Sequence, residues 1–221
     1  MSTLARWLKP GVALAAALLI APAANAGPPL LCHPFTTDNA PSLRWTGERS
    51  WRANDPRYDV RRLTADTVAL LGPDTPAIAR METLRRATIY AATSPQAAND
   101  LLNAVLARTK TPAGDSHAAA LVEFDAGYLI ESYRQQSEIE KVDMLAAFAR
   151  SSGVRLSTLY GYALVEKAIA MQPRDVAAME FAASLMTADK AAIKQHRAKA
   201  AAGAVAGSAL SANVKAFWGD T

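Results

Sequence analysis

VDMLAAFARSSGVRLSTLYGYALVEKAIAMQPRD, residues 142–175, decides the fold class. Leu145, Phe148 and Ala149 recur at helical spacing before the break at SSG, and Gly161, Val165 and Ala168 recur after it, up to Pro173. Apolar residues spaced in this way, interrupted by a Ser-Ser-Gly breaker and stopped by a proline, predict two consecutive helices. Large and small side chains alternate along both, which is what two antiparallel helices need where they cross closely. The expectation is an all-α protein built from antiparallel helix pairs.

In length and in the placement of these residues the stretch resembles a tetratricopeptide repeat, with Leu145 and Phe148 at bulky first-helix positions, Ala149 at the small one and Pro173 in the terminal turn. Ser152 stands where the family usually carries a larger aromatic, and Leu145 replaces its frequent tryptophan. Met179, Ala182, Ala183 and Met186 continue the stripe into a following helix. A weaker copy spans 64–97, with Leu70, Leu71, Thr83, Ala87 and Tyr90 at the packing positions. Pro95 and Pro173, however, are not separated by two whole periods. The fold is therefore expected to be either a tetratricopeptide-like array or an irregular helical bundle. The resemblance implies a concave surface that holds a peptide or another protein, because stacked helix pairs curve and leave an inner face for binding.

Outward from this stretch, residues 60–221 read as helical domain throughout. Val60, Leu63, Thr67, Leu70 and Leu71 share a face ended by GPD at 72–74; Thr75 and Pro76 are the expected cap and first-turn proline of the next helix. Ser94 and Pro95 open another in the same manner, and TPAGD at 111–115 closes it. Residues 116–134 form a longer helix, inside which Gly127 implies close packing, since an exposed glycine there costs about 1 kcal/mol relative to alanine. The tail from 190 to 218 has strong helix propensity at its start and a basic side made by Lys190, Lys194, Arg197 and Lys199. Its expected role is to cap the helices, although that side also suits an anionic partner or a membrane surface.

Residues 27–59 differ in kind. Six punctuators (Pro28, Pro29, Pro34, Pro41, Gly47, Pro56) alternate with Phe35, Trp45, Trp51 and Tyr58. This predicts an irregular arm whose aromatics pack on the helical body. Ahead of it, Arg6 and Lys9, the apolar run VALAAALLI at 12–20 and the small residues of APAANA form a signal peptide, 1–26, cut after Ala26. Export, to a periplasm or the medium, is the expected localisation. The 221 residues carry a formal charge of +4 with no basic run, which argues against a nucleic-acid partner.

The single cysteine excludes an intrachain disulfide. Cys32 and His33 together have the donor chemistry for a soft or borderline metal, but adjacency supplies two of the four ligands of a closed zinc site. Asp38, His117 or His196 join them only if the fold brings them there. The pair matches the end of a c-type haem attachment sequence, yet Pro29 occupies the place of its first cysteine, and Leu31 is unlike the small residue that precedes a lipidated cysteine. Glu123, Asp125 and Glu131 are expected on a solvated face, with Arg134 a partner for Glu131. Glu82, Arg85 and Arg86 are expected to stabilise the surface at helix-neighbour spacing.

The functional expectation is an exported helical scaffold or protein/peptide-binding module without catalytic activity or cofactor. Its candidate binding residues are Cys32, His33, Trp45, Trp51 and Tyr128. The alternative is a metal- or cofactor-binding redox protein or enzyme that uses Cys32 and His33.

Overall fold

The computed structural model describes residues 30–46, 50–111, 114–141, 143–155 and 158–219; the signal peptide expected at 1–26 lies outside them. The described residues contain nine α-helices and no strand. After a 3-10 turn at Val60–Arg62 come α1 (Leu63–Leu70), α2 (Ala77–Ala91), α3 (Pro95–Arg108), α4 (Ser116–Glu140) and α5 (Ala146–Ser152). Then follow α6 (Gly161–Ala170), α7 (Val176–Ala183), α8 (Lys190–Gly203) and α9 (Ala209–Trp218). None is long and apolar enough to cross a membrane.

A side-chain cap sets four of the nine helix starts. Ser94 accepts from the Ala97 N–H with Pro95 at the first helical position, and Asp115, Asp189 and Ser208 cap α4, α8 and α9 in the same manner. Helix α2 is among those without one, and the expected Thr75 cap is corrected. Pro76 occupies its cap position, and the Ala77 N–H donates instead to Asp175 Oδ2, 3.0 Å away and 98 residues later. Helix α4 runs six residues past the expected stop at 134, to Glu140. At the end of α5, Gly153 takes φ +72°, a left-handed conformation that glycine adopts without a Cβ penalty.

Helix α4 is central and packs on α6, α2 and α3, while α8 lies along α7. The two helices of residues 142–175 take different main partners: α5 rests on α3, and α6 on α4 and α7. The result is an irregular helical bundle. Its cause is visible at the crossing of α4 and α6, where a Cβ on Gly127 would lie 2.5 Å from the Gly161 carbonyl oxygen and 2.9 Å from Val165 Cγ2. Two facing glycines let the backbones meet, so the small residue that opens α6 serves α4 rather than α5.

Phe124, Tyr128, Leu129 and Tyr133 of α4, Met81 and Leu84 of α2, Val165 of α6 and Phe181 of α7 form the inaccessible core. The arm enters it with Leu30, Leu31, Phe35 and Leu43. Burying each such side chain contributes about 1.5–3 kcal/mol. Phe35 stacks on Phe217 of α9 at 5.3 Å between ring centroids, and Phe217 meets Phe181 edge-on at the same separation, so the tail helix closes over the arm.

Candidate functional site

Two Glu-x-x-Arg pairs, one on α2 and one on α4, hold non-helical chain against the bundle. On α2, Glu82 and Arg85 have no exposed surface, which corrects their expected surface role. Arg85 Nε and Nη2 donate to the two Glu82 carboxylate oxygens at 2.7 and 2.9 Å, and Arg86 Nε adds a third bond at 2.6 Å. The remaining capacity goes to the arm. Glu82 Oε2 accepts the Phe35 N–H at 3.0 Å, Arg85 Nη1 donates to the Leu31 and Trp51 carbonyls at 3.1 Å each, and Arg86 Nη1 reaches the Leu43 carbonyl at 2.5 Å. Burial pushes the Glu82 carboxyl up, but the Arg85 hydrogen bonds, the charges of Arg85 and Arg86 and the Phe35 N–H outweigh it and hold the group below its usual value.

Asn213 of α9 and Tyr90, further along α2, read the arm backbone in the same way. Asn213 accepts from the Thr36 N–H at 3.0 Å and donates to the Thr36 carbonyl at 2.8 Å; the Tyr90 hydroxyl donates to the Arg44 carbonyl at 2.8 Å and accepts the Asp55 N–H at 2.9 Å.

Trp45, Trp51 and Tyr128 all belong to this seat. Trp45 meets Tyr90 edge-on under the Arg85 guanidinium, 5.1 Å from its ring; Arg52 lies 4.5 Å over Trp51; and the wholly buried Tyr128 donates to the Leu30 carbonyl at 3.4 Å. Trp45 and Trp51 are part of the arm itself, and Tyr128 holds it from α4. Cys32 is half-buried, and burial raises its thiol pKa against the opposing charges of Arg52 and Arg85. The His33 ring leans on Phe217 at 5.3 Å.

The structure does not bring the other histidines to Cys32. His196 sits between the Tyr162 hydroxyl, 2.7 Å from Nε2, and the Glu180 carboxylate at Nδ1; His117 lines a small cleft with Asp74 and Arg174. Among the described residues no group of three or more His, Cys, Asp or Glu side chains is placed to hold a metal ion. Burial and Glu166 push the Tyr162 phenol up to about 12, so it keeps its proton at neutral pH and the Tyr162–His196–Glu180 chain ties α6, α7 and α8 together.

The expected solvated face on α4 is likewise corrected. Asp125 is fully buried between Arg80 and Arg108, at 2.7 and 2.8 Å, and Glu123 pairs with Lys167 at 2.6 Å. Glu131 turns toward the start of α6, where Oε1 accepts the N–H groups of Gly161 and Tyr162 at 2.8 and 3.3 Å. These are donors that a helix N-terminus leaves unpaired, and a carboxylate there also complements the helix dipole. Burial raises the Glu131 pKa against the opposing Arg134 charge and these N–H bonds. Arg134, 3.7 Å from Glu131 as expected from their spacing, donates to the Leu159 carbonyl and lies 5.5 Å from the Tyr160 ring centre.

Beside this second pair an open groove of about 670 Å³ runs between α4, the approach to α6 and the turn from α7 to α8. Gln135 fixes one wall, since its Oε1 accepts the Leu30 N–H at 2.9 Å and its Nε2 donates to the Leu185 carbonyl at 3.4 Å. Tyr160 stands in the groove with 58% of its surface exposed.

No protein-family model, curated protein or solved structure matches the chain.

Tyr160 is not among the candidate binding residues read from the sequence, where the signal for it is weak: it lies outside the apolar stripe of Gly161, Val165 and Ala168.

Proposed function

We propose that the protein is an exported helical binding module that holds an extended peptide segment of a protein partner in the groove beside Glu131 and Arg134, without catalysis. The observation that carries this is Tyr160, which is 58% exposed inside a concave surface and has the Arg134 guanidinium against one side of its ring. Tyrosine is a favoured anchor at interfaces because it offers a large rigid contact area and a polar tip at small entropic cost. The groove volume of about 670 Å³ lies within the range of about 300–1,000 Å³ that ligand pockets occupy. Leu145, Leu185 and Met186 give it apolar walls, and Ser137, Glu138 and Asp143 give it polar ones.

The arm supports the same reading by analogy within the chain. Its backbone is already held by helix side chains at Leu30, Leu31, Phe35, Thr36 and Leu43, so bonds from this bundle to non-helical backbone are realised within one molecule.

Selection from a random displayed-peptide library against the purified protein tests the proposal. Enriched peptides are expected to lose at least about tenfold in affinity with Tyr160→Ala, the loss of a strong aromatic anchor. Absence of enrichment, or enriched peptides indifferent to Tyr160→Ala, would overturn it.

A further inference from the structure

We infer that the segment held in this groove is basic, with a Lys or Arg side chain laid on Tyr160 and directed between Glu138 and Asp143; this rests on the groove being the binding surface. The charged residues lining the groove are Glu131, Arg134, Glu138 and Asp143. Glu131 and Arg134 offset each other at 3.7 Å, and both are committed to backbone, Glu131 to the start of α6 and Arg134 to the Leu159 carbonyl. Glu138 and Asp143 remain, both exposed. Asp143 gives one oxygen, Oδ1, to the N–H groups of Leu145 and Ala146 at 3.0 Å each, which fixes its carboxylate at the groove edge. The facing wall of Leu185, Met186, Thr187 and Ala188 carries no charge to cancel them. The groove is therefore net acidic in a chain whose overall formal charge is +4.

Tyr160 adds the second element. Arg134 lies 5.5 Å from its ring centre, so an aromatic–cation contact already exists there, and the 58% of the residue that is exposed remains available to a ligand. The π face attracts a Lys or Arg head, and the apolar stem of such a side chain can lie along Leu145 while its charge stays near the two carboxylates. An acidic segment would meet like charge at Glu138 and Asp143. A neutral one would gain the apolar contacts alone.

Anisotropy titrations of the full chain with three fluorescein-labelled nonapeptides, in which Ala alternates with Lys, Ser or Glu, test this at low and high salt. The Lys peptide is expected to bind about tenfold more tightly than the Ser peptide, the Glu peptide more weakly than either, and the Lys advantage to shrink as salt screens the exposed carboxylates. Glu138→Lys and Glu138→Gln, with circular dichroism to confirm helix content, are expected to reduce Lys-peptide affinity, the reversal by about fivefold or more. Tyr160→Ala is expected to weaken both the Lys and the Ser peptide. If Lys and Ser peptides bind equally and both depend on Tyr160, the basic preference is overturned while the groove stands. If the Lys peptide binds but is insensitive to Tyr160→Ala and to both Glu138 variants, or if no peptide binds, the groove and the preference both fail.

Discussion

Glu82–Arg85 on α2 and Glu131–Arg134 on α4 share a spacing, and each does the same job in outline: the carboxylate accepts backbone N–H groups from a segment packed against its helix, and the guanidinium donates to carbonyls of non-helical chain beside an aromatic ring. Their surroundings differ. The first pair has no exposed surface on either side chain, whereas Glu131 and Arg134 keep 14% and 34% of theirs. The arm lies over the first pair and joins the core with Leu30, Leu31 and Phe35, so that clamp is sealed from solvent. The second holds only the short approach to α6 and leaves Tyr160 facing an open groove. Burial thus turns one motif into a fastening and leaves the other as the edge of a surface.

The sharpest test of this difference is the same substitution at both glutamates. Glu82→Gln removes the charge that compensates a wholly buried Arg85, and breaking a buried pair from one side costs about 3–5 kcal/mol. Urea denaturation should show that loss as a lower midpoint with an unchanged slope.

Gly161→Ala strikes only the second clamp. Its Cβ would collide with the Gly127 carbonyl and approach the Glu131 backbone nitrogen to 3.0 Å, forcing α6 off α4. A destabilisation of about 1–3 kcal/mol is expected, as for other overpacked sites. Amide exchange should reveal faster exchange at positions 161 and 162, the donors to Glu131, with Phe35 unaffected.

The acid limb of stability should respond with opposite signs at the two glutamates. The Glu82 pKa is lowered on folding, so its contribution is fully present above the unfolded carboxyl value of about 4.3 and is lost as pH falls through the lower folded value. The Glu131 pKa is raised, so ionisation there removes stability as pH rises from the unfolded value through the folded one. Thermal melts from pH 3 to pH 7 should show the cost of Glu82→Gln growing with pH, while Glu131→Gln becomes relatively more favourable. At neutral pH the amide oxygen that Glu131→Gln introduces can still accept both N–H groups, so this substitution should change stability by no more than about 0.5 kcal/mol. A cost equal to that of Glu82→Gln would erase the distinction between the clamps.

How much of this was legible in the sequence depends on the residue. The Glu82 and Arg85 spacing is local and was readable, and each stands one turn after an apolar residue, Ile78 and Met81; a charged side chain so placed still reads as surface until its cover is known, and part of that cover is Phe35, 47 residues away. Thr75 looked like the cap of α2, whereas Asp175 supplies that bond from 98 residues along the chain. Gly127 reads as a close-packing position and is one, yet nothing in the local pattern named Gly161 as its partner. Asp125 shows the same limit, since a carboxylate in the long helix reads as solvated until Arg80 and Arg108 arrive from α2 and α3.

By itself the sequence determined the all-α class, the breaks at GPD, SP and SSG, the Ser94–Pro95 helix start and the separate character of the arm. These follow from backbone preferences and periodicities that act within a few residues. Only the tertiary structure decided that α5 and α6 take different partners, that Glu82 is sealed and that Tyr160 faces a groove. Burial and desolvation depend on everything packed around a side chain, and here the covering groups come from distant parts of the chain.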